Sequence, residues 1–234
     1  MKKTLAALLI ATLALPLAAA PYRALNPDSL ISGNPKKPPI SVNLGGVETA
    51  IRNLSAVAGD YPPSFDNEND RRRAIADLGP LGVVLDSMVE NTAPKGGAKA
   101  SAAYLASLAM RARFHWIGHN LDQPGHAAKA DADYRRRIEL ATAPQEKAFY
   151  QELHGRFLSS TGQLPRAISQ LEAARKAGRK EAAMPLGMAY LMSGQKAKSL
   201  PLLREHVRNF PQDKQAKELL SAVENGRVEM KTVK

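Results

Sequence analysis

Gly155-Arg156-Phe157-Leu158-Ser159-Ser160-Thr161-Gly162 and Gly187-Met188-Ala189-Tyr190-Leu191-Met192-Ser193-Gly194 share one pattern, 32 residues apart. Each opens and closes on glycines seven residues apart, and a third such pair, Gly118 and Gly125, lies 37 residues upstream of the first. Three residues after each first glycine stands Leu121, Leu158 or Tyr190. Five residues after each second glycine comes a small side chain, Ala130, Ala167 or Ser199, and four further on a larger one, Tyr134, Leu171 or Leu203. Small residues at fixed points let two helices cross closely, and the second glycine serves the short turn between them. The pattern predicts three successive helix–turn–helix units, closed by a further amphipathic helix carrying Ala216, Leu219, Leu220 and Val223.

Composition agrees with helix. The chain of 234 residues is rich in Ala, Leu, Lys, Arg and Glu, whereas aromatics are only 5%, so the residues that favour strands are thin. An apolar fraction of 44% with 24% charged residues excludes wholesale disorder. The absence of cysteine excludes disulfides, thiolate metal sites, a cysteine nucleophile and a lipid-modified N-terminal cysteine. The formal charge of +11 speaks for anionic partners or surfaces rather than for any fold.

Upstream of the repeats, Met1-Lys2-Lys3 and the apolar run Leu5 to Ala20 read as a secretory signal peptide over residues 1–20. The run is shorter than the ~20 residues of a spanning helix. The mature chain is expected to begin between residues 19 and 21, in the periplasm or secreted. Residues 21–46 carry prolines at 21, 27, 35, 38 and 39 and read as an extended or loosely docked arm. Helical spacing over residues 47–92 uses Val47, Ile51, Leu54 and Val57, then Ile75, Leu78, Leu81, Leu85 and Met88, with Gly79-Pro80 as a kink or break. Ala93-Pro94-Lys95-Gly96-Gly97 is read as a linker, because the Gly-Lys-Ser/Thr ending of a phosphate loop is missing. The repeat region then covers 98–226, with repeats at about 111–144, 148–179 and 180–213, a closing helix at 214–225 and a tail at 227–234.

The three aligned units resemble the tetratricopeptide repeat (TPR), a roughly 34-residue helix–turn–helix. The resemblance implies an all-α, right-handed helical solenoid with N-terminal helices covering one end and a C-terminal capping helix the other. Pro144 and Pro211 stand where such units end, and the second unit lacks that proline. Phe114 suits the bulky fourth position; Gln151 and Ala183 depart from it. Carried over, the concave positions are Ala112, His115, His119, Asp122 and Gln123; Phe149, Glu152, Arg156, Ser159 and Ser160; Glu181, Met184, Met188, Leu191 and Met192. The implied role is a non-enzymatic scaffold or adaptor without a cofactor, binding a protein or peptide partner in a bacterial envelope assembly. Two readings of the methionines stay open: an adaptable groove lining, or packing under the capping helix. His115 and His119 stand where the chaperone-binding members carry Lys and Asn, so that specificity is not implied.

The residues themselves raise one other chemistry. His115 and His119, at i and i+4, lie on one helical face with Asp122 a turn on and His126 past the bend, which suggests a periplasmic metal-binding protein as the alternative. Trp116 stands where a hydrolytic zinc helix needs its glutamate. His154 and His206 fall at helix-packing positions and read as core or boundary residues. Arg71-Arg72-Arg73 and Arg135-Arg136-Arg137 spread around their helices and read as solvated faces, with weak attraction to anionic envelope surfaces as the functional option. Nucleic acid is disfavoured, because no aromatics interleave with the basic clusters.

Overall fold

Nine α-helices make up most of the described residues of the computed structural model, which are 21–34 and 37–227, with side chains outside residues 33–40. The signal peptide expected over residues 1–20 and residues 228–234 of the tail lie outside the described residues. These residues form two compact units that meet in sequence at Leu140 and Ala141, inside the region read as one repeat domain.

The first unit opens with the segment expected to be an extended or loosely docked arm; much of it is extended, but it is docked on the core by defined contacts. A 3-10 turn, Pro27–Leu30, leads into an antiparallel hairpin of β1 (Ile31–Asn34) and β2 (Lys37–Val42) that pairs Ile31 with Val42 and Ser32 with Ser41. Tyr22 and Leu30 are buried in the core. Asp77 accepts hydrogen bonds from the Tyr22 hydroxyl and the Leu25 amide, both at 2.7 Å, and Asp70 accepts from the Tyr22 amide at 3.3 Å. Burial, with the Asp77 carboxylate beside it, pushes the Tyr22 phenol upward, so that group stays a donor. Asn43 closes the segment: its side chain accepts from Gly46 N at the start of α1 (Leu44–Ala58) and donates to Ser29 O at 3.0 Å. Backbone comes so close there that a Cβ on Gly46 would stand 1.8 Å from Ser29 O, hence the glycine.

Helix α2 (Glu68–Thr92) is continuous through Pro80, so of the kink or break expected at Gly79-Pro80 the break does not occur. Asn67 caps it, and Leu78, Leu81, Leu85 and Met88 face the core shared with Val47, Leu54, Phe114 and Ile117. Helix α3 (Ala102–Asn120), capped by Ser101, packs on α1 and α2, and α4 (His126–Leu140) returns along it. Asn120 donates to Ala58 O at 3.0 Å, tying α3 to the end of α1.

The second unit holds α5 (Pro144–Ser160), α6 (Leu164–Lys176), α7 (Ala183–Met192), α8 (Lys196–Asn209) and α9 (Lys214–Glu224). Helices α5 and α6 cross at Gly155, where a Cβ would lie 2.5 Å from Leu171 Cγ. Helices α7 and α8 cross at Gly187, with Leu203 Cδ2 at 3.0 Å from the same construction. Ala167, Ser199, Leu171 and Leu203 are fully buried, as their spacing predicts. Gly162 and Gly194 end α5 and α7 in the left-handed conformation, with φ of 74° and 76°. In each case the next amide closes a 6→1 bond, Gln163 N to Leu158 O and Gln195 N to Tyr190 O.

The α3–α4 hairpin follows a variant of this design. Helix α3 stops sooner relative to Gly118; Asp122, at φ 61°, takes the left-handed position, and Gln123 N bonds Gly118 O. Gly125 is also left-handed, but it enters α4 rather than ending α3. The space above Gly118 is filled by His126, whose Nδ1 would stand 2.0 Å from a Cβ there. Tyr134, the spacing equivalent of Leu171, is buried against Trp116, with ring centroids 6.4 Å apart.

Gly155→Ala drives a methyl into the branch point of a buried leucine and is expected to destabilise the protein by about 1–3 kcal/mol. Leu171→Ala empties the same space at a cost of about 2–5 kcal/mol. Because the new methyl can occupy part of that space, the double variant should lose less than the two losses combined, measured by denaturant unfolding. Strict additivity would place the two residues out of contact.

Candidate functional site

The expected concave residues divide between the two units. In the first unit the imidazole of His115 is buried at 3% exposure rather than open to solvent. Its Nδ1 lies 3.1 Å from Nδ1 of His126, so one ring donates the single proton between them and the other accepts it. Phe114 packs beside both rings, with centroids 5.0 and 5.5 Å away. Burial, followed by the charges of His126, Lys129 and Arg111, pushes His115 down to about 3; Asp86 opposes them. His119, half-buried, and His126 are also pushed down by burial. Asp122 is exposed at the end of α3 and accepts from Arg71 at 3.0 Å, while Ala112 is fully buried. Among the described residues, no group of three or more His, Asp or Glu is placed to hold a metal ion.

Of the arginine runs read as solvated faces, Arg72, Arg73 and Arg135 are exposed, and the structure corrects the reading at Arg137. Arg71 and Arg73 pair with Asp122 and Asp70, and Arg137 is buried at 4% exposure. Arg111, from α3, forks onto Asp133 at 2.8 and 2.9 Å and reaches Asp86 at 3.0 Å. That network ties α2, α3 and α4 together. His154 and His206, in the second unit, are buried as expected.

In the second unit the structure gathers Phe149, Glu152 and Arg156 on α5 around a residue that the sequence reading passed over, Arg179. Gly178, at φ 91°, ends α6, and Arg179 N bonds Ala174 O, which turns the chain back toward α5. The guanidinium Nε then donates to the buried Glu152 carboxylate at 2.7 Å, and its carbon lies 5.1 Å from the centre of the Phe149 ring. Arg156 approaches Glu152 more loosely, at 3.8 Å, and stays exposed. Arg179 Nη1 reaches Glu181 at 3.3 Å. No sequence motif marks Arg179; the only cue is its place directly after a helix-ending glycine. Beside it opens a cleft of about 380 Å³ between the start of α5, the α6–α7 turn and the end of α8.

The methionines part company. Met184 packs against Leu191, Leu203 and Val223, and so lies under α9. Met188, one turn on, is half-buried. Leu191, another concave candidate, is buried in the same cluster as Met184.

Compared with family models and with curated proteins, the sequence matches none. Among the described residues, no helix is long and apolar enough to cross a membrane.

Two outcomes follow from these geometries. His115 carries a folded pKa below its unfolded value of about 6.5, so the unfolded chain binds more protons as pH falls. Its stabilising contribution is intact above pH ~6.5 and is lost progressively on acidification, about 2 kcal/mol by pH 5. His115→Gln/His126→Leu should flatten the fall in melting temperature between pH 7 and pH 5; an unchanged slope would exclude the pair as its source. Separately, Arg179→Met strips Glu152 of its closest partner and should cost roughly 2–5 kcal/mol, most of it recovered in Arg179→Met/Glu152→Gln. Urea unfolding of the three variants measures that coupling.

Proposed function

We propose that the chain is an exported TPR-like adaptor, in which helix hairpins stack as a right-handed solenoid and the first helix of each pair offers a surface to a protein or peptide partner. The observation that carries this reading is the recurrence of one hairpin design, a glycine crossing closed by a left-handed turn, at Gly155–Gly162 and again at Gly187–Gly194. A single hairpin leaves one face uncovered, so repeated hairpins call for stacking and for an end cover, the part assigned to α9. The work of such a protein is recognition without catalysis, and the leader read at residues 1–20 places it in the periplasm or outside the cell.

Within the second unit the partner surface is drawn on α5 and α7 from the residues that remain open: Phe149 at 38% exposure, Arg156 and the half-buried Met188. His115, Ala112 and Leu191 are committed to packing and drop out of the contacting set. His119, half-buried, and Asp122, exposed and paired with Arg71, are assigned to the corresponding surface of the first unit. The basic balance of the chain favours a partner with acidic character.

Crosslinking in the native envelope followed by reconstitution with the purified partner tests the surface. Phe149→Ser, Arg156→Gln and Met188→Gln together should weaken that partner at least about tenfold while moving the melting temperature little. Leu203→Ala should do the reverse, with a loss of about 2–5 kcal/mol in stability. Normal binding by the triple surface variant would overturn the assignment.

A further inference from the structure

The cleft beside Arg179 has a construction that the surface described above does not require. Its guanidinium is held on one side by the buried Glu152 carboxylate and lies over the Phe149 ring, so its direction is set before any ligand arrives. On the cleft side Glu181, at 3.3 Å and with a side chain 45% exposed, is its ion-pair partner among the described residues. The two carboxylates therefore differ in kind. Removing Glu152 from the guanidinium would strand a buried charge, whereas Glu181 can turn into water at small cost. Lys180, exposed, adds a second cation to the same wall. Asn209 contributes an amide, and Phe210, which packs on His206 with centroids 4.7 Å apart, contributes a fixed apolar surface.

We propose that this cleft is a carboxylate-binding site for an acidic peptide segment of a partner, with Arg179 as the anchoring cation and Glu181 as an internal carboxylate that the ligand displaces. The inference rests on the reading of the chain as a peptide-binding module and names the chemistry of its ligand. Arginine suits the role because its planar fork meets a carboxylate through two N–H bonds, and here the exchange is like for like. Lys180 supplies the long-range attraction, and an aliphatic side chain next to the carboxylate would lie against Phe210. Carboxylates of two origins share this chemistry, a chain terminus and an Asp or Glu side chain, and the test separates them.

The test is isothermal titration calorimetry of the full mature chain with acetyl-Gly-Ser-Leu-Glu-Leu-Glu bearing a free C-terminus. Three companions are its C-terminal amide, the peptide with Gln for Glu and a free C-terminus, and the neutral peptide with Gln and an amide. The acidic peptides should bind and the neutral one should not. Retained binding of the amidated Glu peptide assigns the side chain; retained binding of the Gln peptide with a free end assigns the terminus. Glu181→Gln removes the internal competitor and should tighten binding about two- to fivefold, which a purely structural Arg179–Glu181 pair would not produce. Lys180→Glu should weaken it about fivefold or more, with Lys180→Gln in between. Equal binding of acidic and neutral peptides, no binding of any, or an affinity unmoved or lowered in Glu181→Gln would overturn the proposal. Phe149 and Arg156 stand beside the Arg179–Glu152 pair, so the separation uses Met188→Gln alone: loss of the native partner in that variant, with normal peptide binding here, separates the failure of either reading from that of the other.

Discussion

A missing Cβ governs each helix hairpin of this protein. At Gly155 and Gly187 the return helix lays a buried leucine where a side chain would otherwise stand. Such a contact is tight in both directions: a methyl on the glycine overfills it, and truncation of the leucine empties it. It therefore fixes how far the second helix slides along the first, a setting that general apolar burial leaves loose. Once Leu171 is seated on Gly155, the end of α6 is placed, Gly178 turns the chain at a defined point, and Arg179 arrives beside Glu152. The charged site on α5 is a downstream consequence of an apolar crossing.

The α3–α4 hairpin shows what changes when the contact is made by a different residue. Here the glycine is covered from the first turn of α4, by His126, and not from deeper in the helix as in the other two. Putting an imidazole on that spot brings it against His115, and the pair can share one proton but resists taking a second. The loop lengthens accordingly, and Asp122 rather than glycine adopts the left-handed turn, a conformation Asp tolerates better than most side chains. What is a purely apolar joint in the other hairpins is a titratable one in this hairpin.

These differences mark the limit of what the sequence discloses. The glycine, small-residue and leucine spacing of the second and third units is readable because each element is local and periodic, and Ala167, Ser199, Leu171 and Leu203 are all buried. In the first repeat the same spacing holds, with Ala130 and Tyr134 buried and Gly125 in the turn, but it does not reveal that Asp122 rather than a glycine takes the left-handed position that ends the helix. Residues 21–46 disclose less. Their prolines argue for an extended or loosely docked segment, but Tyr22 and Leu30 find their places through Asp70, Asp77 and Asn43, partners separated from them by up to 55 residues. Nothing periodic connects such pairs. Arg179 escaped for the same reason, since its importance comes from Glu152 and Phe149, 27 residues or more away and on another helix.

The C-terminal end follows from the same logic of covering what a crossing exposes. Leu203 fills the gap at Gly187, but its other side, with Leu191 and Met184, needs a lid, and Val223 on α9 supplies it. A helix of 11 residues with few buried side chains is a weak clamp by apolar area alone. Its placement is reinforced at one residue: Asp213 accepts from Ala216 N at 2.9 Å, capping α9, and from His206 Nε2 at 3.0 Å, which belongs to α8. One carboxylate thus starts α9 and ties it to the helix before it. Those hydrogen bonds, led by the one from Ala216 N, hold Asp213 below the usual carboxylate range, so the charged cap persists under mild acid. Met184, partly buried, packs against the cluster that Val223 of this capped helix completes.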